Sequence, residues 1–532
     1  MTHLLQAQRE SAEGEPGVLA AELVGRAREA QATWGALAVE QRVRVMSALP
    51  ELLHAAMDRI AQVIVEENGK PLAEALAHEV VPAIALTRHH LETAAATLGS
   101  SRIASATAPY RKAVRTHRPY GVVVAIAPWN LPFLIPFSQV LPALIAGNAV
   151  VLKPSELTPR VAEVLVEVVR ACGLPEGMLQ LAIGDGAVGA ALIEARPDKV
   201  LFTGSVATGR AVMAAASRFP IPVGLELGGI DAAIVLEDAD LEYTTSAVAW
   251  GANFNGGQAC CSIERVLVHE SLHDAFVVRL EDKLRRIDLG SDLAPAIDER
   301  QQRIWQRHLA EAREHPIPVA GGEPSREHRV RVSAGEPVRE HRVRVTGGEP
   351  VGQRRISPAV VSGEDVRDTP VWREETFGPV VAVSRFGCED EAVALHNATE
   401  YGLTASVFSA DVARARALAG RLRAGSVSIN DVAATMYSTP ELAWGGVALS
   451  GFGRSHGVDA LLDASWVQVV DLPRGPAFGP KRPWWFPYDV GLEDAMRELA
   501  ASLVAPHVTP KLRGYGRAGR SLLGMLARRP KL

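Results

Sequence analysis

Two cysteines stand side by side in the stretch Gly256-Gly257-Gln258-Ala259-Cys260-Cys261-Ser262-Ile263-Glu264-Arg265. Adjacent cysteines do not readily bridge each other, because their Cβ directions diverge and disulfide geometry is narrow. A thiol is the strongest side-chain nucleophile near neutral pH once its thiolate is stabilised, so this pair is a candidate for covalent chemistry. A second candidate is Glu226, one acid in the apolar run Leu225-Glu226-Leu227 before Gly228-Gly229. A buried acid is costly unless paired or functional, and desolvation raises its pKa into the range of a general base. A third is Asn130, between Pro128-Trp129 and Leu131-Pro132. An amide held in a dry pocket is a good donor to a developing oxyanion; an asparagine in a turn is the competing reading.

Two further stretches suit a nucleotide. Phe202-Thr203-Gly204-Ser205-Val206-Ala207-Thr208-Gly209 follows an apolar strand and opens a helix, with Ser205 at the N-cap position. Such a turn turns backbone N–H groups toward a phosphate. It is neither a GxGxxG fingerprint nor a Walker loop, and a turn with glycines for geometry alone competes with it. Val151-Leu152-Lys153-Pro154-Ser155-Glu156 ends a strand with Lys153 and Glu156. Nucleotides lie at the carboxyl ends of parallel strands, where a glutamate can take both ribose hydroxyls and a lysine can add a donor. By themselves these two also read as an ordinary surface pair.

The elements that position these residues follow from periodicity. Up to about Leu98 the apolar spacing is near 3.6 and predicts helices, including one long helical stretch from Arg42 to Lys70. From Gly121 strands and helices alternate: strands at 121–127, 149–153, "LQLAIG", "KVLFTG" and "PVGLELGG", with helices at 159–172, 186–195 and 206–217 between them. Repeated βαβ units give a mostly parallel sheet covered on both faces. A second block from about Asp231 repeats the alternation through "DAAIVLE", "ERVLVHE", "PVVAVSRF" and "GSVSIN", and "WVQVV" at 466–470 is a late strand. The fold class is α/β: a Rossmann-like parallel-sheet domain plus a second α/β domain.

The chain has 532 residues, 47% hydrophobic and 22% charged, with a net charge of −5 and four cysteines. This suits a globular protein with large cores, gives no reason to expect a nucleic-acid partner, and points to a reducing, cytoplasmic location. The N-terminus lacks the apolar core of a secretory signal. The uncharged run from Pro119 to Leu152 is long enough to span a bilayer, but Pro128, Pro132, Pro136 and Pro142 break it into strand, buried helix and strand. A 13-residue tandem repeat occupies about 322–347, with "HRVRV" in each copy. Two copies are too few for a solenoid, and each reads as an edge strand of an exposed hairpin in a loop lengthened by duplication. Removing one copy, Gly335–Gly347, is then expected to leave fold and turnover nearly unchanged. The tail from 473 to 532 is aromatic and Pro-rich, then basic with no acid after Lys511; membrane contact, if any, would come through it.

"PWN", "KPSE", "FTGS", "LELGG", "GQAC", "EETFGPV" and "GGVALSGFGR" occur in this order over about residues 20 to 472, with Glu226 and Cys260 separated by 34 residues. Together they resemble the aldehyde dehydrogenase superfamily. The resemblance implies that Cys260, the Cys of Gly-Gln-x-Cys, is the nucleophile and Cys261 a small neighbour. It implies that the Asn130 amide and the Cys260 N–H hold the oxyanion, and that Glu226 activates the water that hydrolyses a thioester. NAD would be held by Lys153 and Glu156 at the adenosine ribose and by Gly204, Ser205 and Gly209 at the pyrophosphate. Glu375 would hold the nicotinamide ribose and Phe377 support the ring, and Trp129 would also bind the cofactor. No metal is implied. Glu156 favours NAD, and Lys153 leaves NADP possible. The aldehyde would be walled by loops around Trp129, Trp250 and Met436-Tyr437. Implied domains are 1–100 with 120–231 for NAD(P), 232–450 for catalysis, 101–119 with 455–472 as an oligomerisation arm, and 473–532 as an extension, in a homodimer or homotetramer. Ile230 and Ala448 stand where the family usually has lysine. Two rivals remain: an acylating dehydrogenase using coenzyme A, against which Glu226 argues, and a non-catalytic protein on this fold.

Overall fold

The computed structural model describes residues 15–104, 111–314, 343–352, 354–474, 484–486, 488 and 490–504. The strands are β1 (Ser101–Ile103), β2 (Arg111–Pro119), β3 (Val122–Ile126), β4 (Ala149–Lys153), β5 (Leu179–Leu181), β6 (Lys199–Thr203), β7 (Val223–Glu226) and β8 (Asp231–Val235). They continue as β9 (Ile263–His269), β10 (Val343–Thr346), β11 (Ala359–Gly363), β12 (Val380–Phe386), β13 (Thr404–Phe408), β14 (Ser426–Ile429), β15 (Gly451–Phe452) and β16 (Ser465–Pro473). Residues up to Ser100 with Thr116–Gln468 form one compact unit; Ser101–Arg115 with the chain from Val469 form another.

The first unit holds two sheets. One has the order β15-β7-β6-β3-β4-β5 and the other β10-β11-β12-β9-β8-β13-β14. Both are parallel except for the edge strands β15 and β10. Continuous runs such as Val122-Val123-Val124 and Val150-Val151-Leu152 are fully buried, as strands covered on both faces must be. The uncharged stretch after β3 forms the helix Leu134–Ala146, buried along its whole length and closed by Gly147 at φ 103°. Each Leu or Ile it buries contributes roughly 1.5–3 kcal/mol. Among the described residues no helix is long and apolar enough to cross a membrane.

Glu226 ends β7, and β8 starts five residues later in the other sheet. This short crossing sets the carboxyl ends of β3, β6 and β7 against the amino ends of β9 and β12, and the loops from both sheets meet there.

The structure departs from the sequence reading in four places. The stretch from Arg42 to Lys70 is three helices, Val39–Met46, Leu49–Ala55 and Met57–Asn68, because Pro50 starts a new helix at its N-terminal turn. β11 and β13 had no counterpart in the pattern. In β13, Thr404 and Ser406 hide the apolar signal, yet they are buried, and Thr404 donates through N and Oγ1 to Asp231. The late strand is longer, Ser465–Pro473. Of the repeat, only the end of the second copy is described. It forms β10, antiparallel to β11 at the sheet edge, with Val343 and Val345 packed on the core. The first copy and the basic tail lie outside the described residues.

In the second unit β1 runs antiparallel to the start of β2, Arg111 pairs with Asp471 at 2.6 Å, and Leu492–Val504 is a helix.

Candidate active site

Where the two sheets meet lies a cleft of about 460 Å³ lined by Trp129, Asn130, Thr203, Gly204, Ser205, Glu226, Leu227, Cys260, Gln301, Glu375 and Phe377, among others. It brings together eight of the residues singled out from sequence. Three do not line it. Lys153, at the end of β4, is buried and donates to the Pro154 carbonyl at 2.7 Å, with the exposed Glu156 carboxylate 3.8 Å away. Gly209 lies in the helix Val206–Ser217, where a Cβ would come within 2.6 Å of Leu227.

The cysteine loop is held from below. After the helix Leu241–Asn253 the backbone turns left-handed through Asn255, Gly256 and Gly257. A Cβ on Gly257 would sit 2.2 Å from the Gly378 carbonyl carbon, so the loop beside Phe377 admits only glycine there. The fully buried Gln258 ties the turn: its Nε2 donates to Asn255 O and Pro295 O, and its Oε1 accepts from Ile297 N. The Asn255 amide donates to both Gln258 O and Asn130 O, which joins the cysteine loop to the asparagine loop.

Asn130 rests on a buried ion pair. Lys70 Nζ donates to Glu79 Oε1 at 2.7 Å and to Asn130 O at 2.9 Å. Glu79 Oε2 accepts from the N–H groups of Phe133 and Leu134, the first turn of the helix Leu134–Ala146. A carboxylate at a helix N-terminus is favourable both as a cap and against the helix dipole. Asn68 Nδ2 adds a bond to Trp129 O.

The loop carrying Glu375 and Phe377 is as firmly held. Glu264 accepts from the N–H groups of Thr376 and Phe377 at 2.9 and 2.7 Å. Gln301 and Trp305 donate to the carbonyl of Phe377. These bonds keep Phe377 at φ 51°, an uncommon conformation for a bulky residue. Its ring stands edge-on to Trp129, 5.6 Å between centroids. Glu375 accepts from Gly229 N, and burial raises its carboxyl to about 7.

Desolvation pushes the Glu226 carboxyl well above the usual carboxylate range, against the pull of Arg454. The Cys260 thiol is also pushed well above its ordinary value, first by its hydrogen bond with Cys261 and then by burial, with nearby negative charges adding. In the free site burial thus favours the neutral form of both groups. Arg265 is buried, donates to the carbonyl of Ile230 and lies against the Trp372 ring. Ile230 is itself buried in the core, whereas Ala448 is exposed at φ 55°.

Sequence reasoning missed Lys70, Glu79, Asn255, Glu264 and Gln301. Glu264 carried a usable signal, an acid inside the apolar strand "SIERVLV", the same signal that singled out Glu226. The others lie on helices or loops far along the chain from the residues they hold.

The rim of the cleft fits a dinucleotide. Ser205 caps the helix Val206–Ser217, accepting from Thr208 N, and Gly204 precedes it at the end of β6. A glycine-lined strand-to-helix turn at the end of a parallel strand suits the phosphates of a dinucleotide. The sequence pattern of the aldehyde dehydrogenase family matches residues 17–333 and 332–470, the two spans meeting inside the repeat. A 4,4'-diapolycopene aldehyde oxidase from Methylomonas is 38% identical over 87% of this chain and 83% of its own length. A betaine aldehyde dehydrogenase from Cereibacter sphaeroides is 36% identical over 88% of this chain and 92% of its own. Among solved structures, an NAD-dependent aldehyde dehydrogenase from Sinorhizobium meliloti superposes with a TM-score of 0.79 at 32% identity, covering 88% of this chain and 89% of that one. The chain belongs to the aldehyde dehydrogenase family, and it is an oxidoreductase acting on aldehydes.

Proposed function

We propose that the chain oxidises an aldehyde to the free carboxylic acid with NAD, through a thioester on Cys260 hydrolysed with Glu226 as base. The observation that carries this reading is that Cys260, Glu226 and Asn130 line one cleft. Cys260 passes its proton to water as its sulfur bonds to the aldehyde carbon. The Asn130 amide and the Cys260 N–H donate to the resulting oxyanion. Bound NAD supplies the hydride acceptor. As the carbonyl reforms, the carbon stays on sulfur as a thioester. Glu226 then takes a proton from water, the water oxygen bonds to the carbonyl carbon, and the Cys260 sulfur leaves.

Within this reading, Gly204, Ser205 and Gly209 shape the pyrophosphate site, and Lys153 and Glu156 meet the adenosine ribose. Trp129, Glu375 and Phe377 frame the nicotinamide. Glu156 disfavours NADP, whose 2′-phosphate a carboxylate repels. The sheet built from 122–226 carries the cofactor, and residues 231–429 carry the nucleophile. Ile135 and Leu227 give the substrate side an apolar wall. All four thiols are free, in keeping with a reducing, cytoplasmic location.

Activity assays with NAD and an aldehyde panel test the roles. Cys260→Ala should lose at least about 10³-fold in turnover, and Cys261→Ala should keep most of it. Glu226→Gln should still release a burst of NADH and then turn over slowly. A burst-free Glu226→Gln would mean that Glu226 also takes the thiol proton. Because its pKa is raised, Glu226 ionises only above the usual carboxylate range, so hydrolysis should speed up as pH rises through that ionisation.

A further inference from the structure

Adjoining the cleft is a small cavity of about 20 Å³ lined by Ser138, Gln139, Thr203, Glu226, Cys260 and Tyr437, among others. That space holds a single water. Gln139 is 6% exposed. Its Nε2 donates to Thr203 Oγ1 at 2.8 Å, and this bond fixes the amide. Its Oε1 is buried and accepts from no donor among the described residues. A buried amide oxygen is expensive to leave without a donor, and water is the donor that fits here. Across the cavity Tyr437 is buried, its OH 3.5 Å from Ser138 Oγ, its ring wedged edge-on against Trp444 and beside His456. A neighbouring cavity of about 30 Å³ shares Ser138, Gln139 and Glu226 and runs on to Arg454 and Asp463.

We propose that Gln139 is the positioning residue for the water that hydrolyses the thioester. The inference rests on the reading of Cys260 and Glu226 given above. One water hydrogen is held by Gln139 Oε1 and the other by the Glu226 carboxylate, which leaves a lone pair of the oxygen directed at the carbon on Cys260. As the carbon–oxygen bond forms, Glu226 takes its proton and the carbon–sulfur bond breaks, returning the thiolate. No electrons change hands in this step. The neighbouring cavity supplies the next water.

Gln139→Met keeps the length of the side chain and removes the acceptor. The NADH burst and the steady-state rate are measured with and without hydroxylamine, a nucleophile that attacks thioesters without a placed water. The expected result is an unchanged burst, a steady-state rate lower by about 10- to 100-fold, and recovery with hydroxylamine. An unchanged steady-state rate, a burst that falls in step with it, or no recovery with hydroxylamine overturns the proposal. Should Gln139→Met fail to fold, Thr203→Val carries the test. It frees the amide, so deacylation should slow with the burst intact, and unaltered turnover counts against the water site. Glu226→Gln is run in parallel. If it turns over like the wild type, the assignment of the base has failed. If it is slow while Gln139→Met is fast, only the water site has failed.

Discussion

At the scale of single residues, the candidate site works because groups that never touch substrate hold those that do. Lys70 is the sharpest case. It is fully buried and satisfied by one carboxylate, Glu79, and by the Asn130 carbonyl. Replacing it with methionine leaves Glu79 charged in the core, which costs about 3–5 kcal/mol. It also frees the Asn130 loop, and a displacement near 1 Å there lowers turnover by about 10²-fold. Lys70→Met should therefore show a lower melting temperature together with a reduced kcat. A variant that melts like the wild type would show that the ion pair holds nothing in place.

At the scale of elements, β10 makes the two copies of the repeat unequal. Arg344 and Thr346 of β10 both bond the buried Glu281, at 2.8 Å each. Gly347 then turns at φ 81°, where a Cβ would lie 2.1 Å from the Pro358 carbonyl oxygen. Deleting Gly322–Ala334 leaves this strand and turn untouched. Deleting Gly335–Gly347 moves the first copy's Val330-Arg331-Val332-Ser333 into the strand and puts Ala334 where Gly347 was. Arg331 can replace Arg344, but alanine at a left-handed turn costs of order 1–3 kcal/mol, and the carbonyl adds to it. The expectation that removing this copy changes almost nothing is thus revised. In urea unfolding the second deletion should be the less stable, and Ala334→Gly in the shortened chain should restore it. Equal stability of the two deletions would show that β10 does not depend on its glycine.

At the scale of the whole molecule, β16 has the features of an assembly strand. In the three-stranded sheet β1-β2-β16 it lies at an edge. Trp466, Val467, Val469, Val470 and Leu472 along it are exposed. An apolar edge strand invites pairing with another chain, and a symmetric pair is the usual solution. The protein is expected to be at least a homodimer by light scattering. Val467→Asp with Val469→Asp should shift it toward the monomer. A monomeric wild type would remove this role from β16.

The sequence alone determined the chemistry-bearing positions and the architecture. Strands buried on both faces read as runs such as "GVVVAIA"; Lys153 and Glu226 end two of them, and the turns after two others carry Asn130 and Ser205. Both signals are local, so they survive in the linear order. Tertiary structure alone decided what those residues meet. Lys70 reaches Asn130 across 60 positions, Asn255 reaches it across 125, and Glu264 holds Phe377 across 113. It also decided that Cys260 and Glu226 share a cavity with Gln139 and Tyr437, that the Cys261 hydrogen bond and burial raise the thiol, and that burial raises the acid. Desolvation and hydrogen-bond closure depend on what the rest of the chain packs around a group, and the groups that do the packing here are far away in sequence.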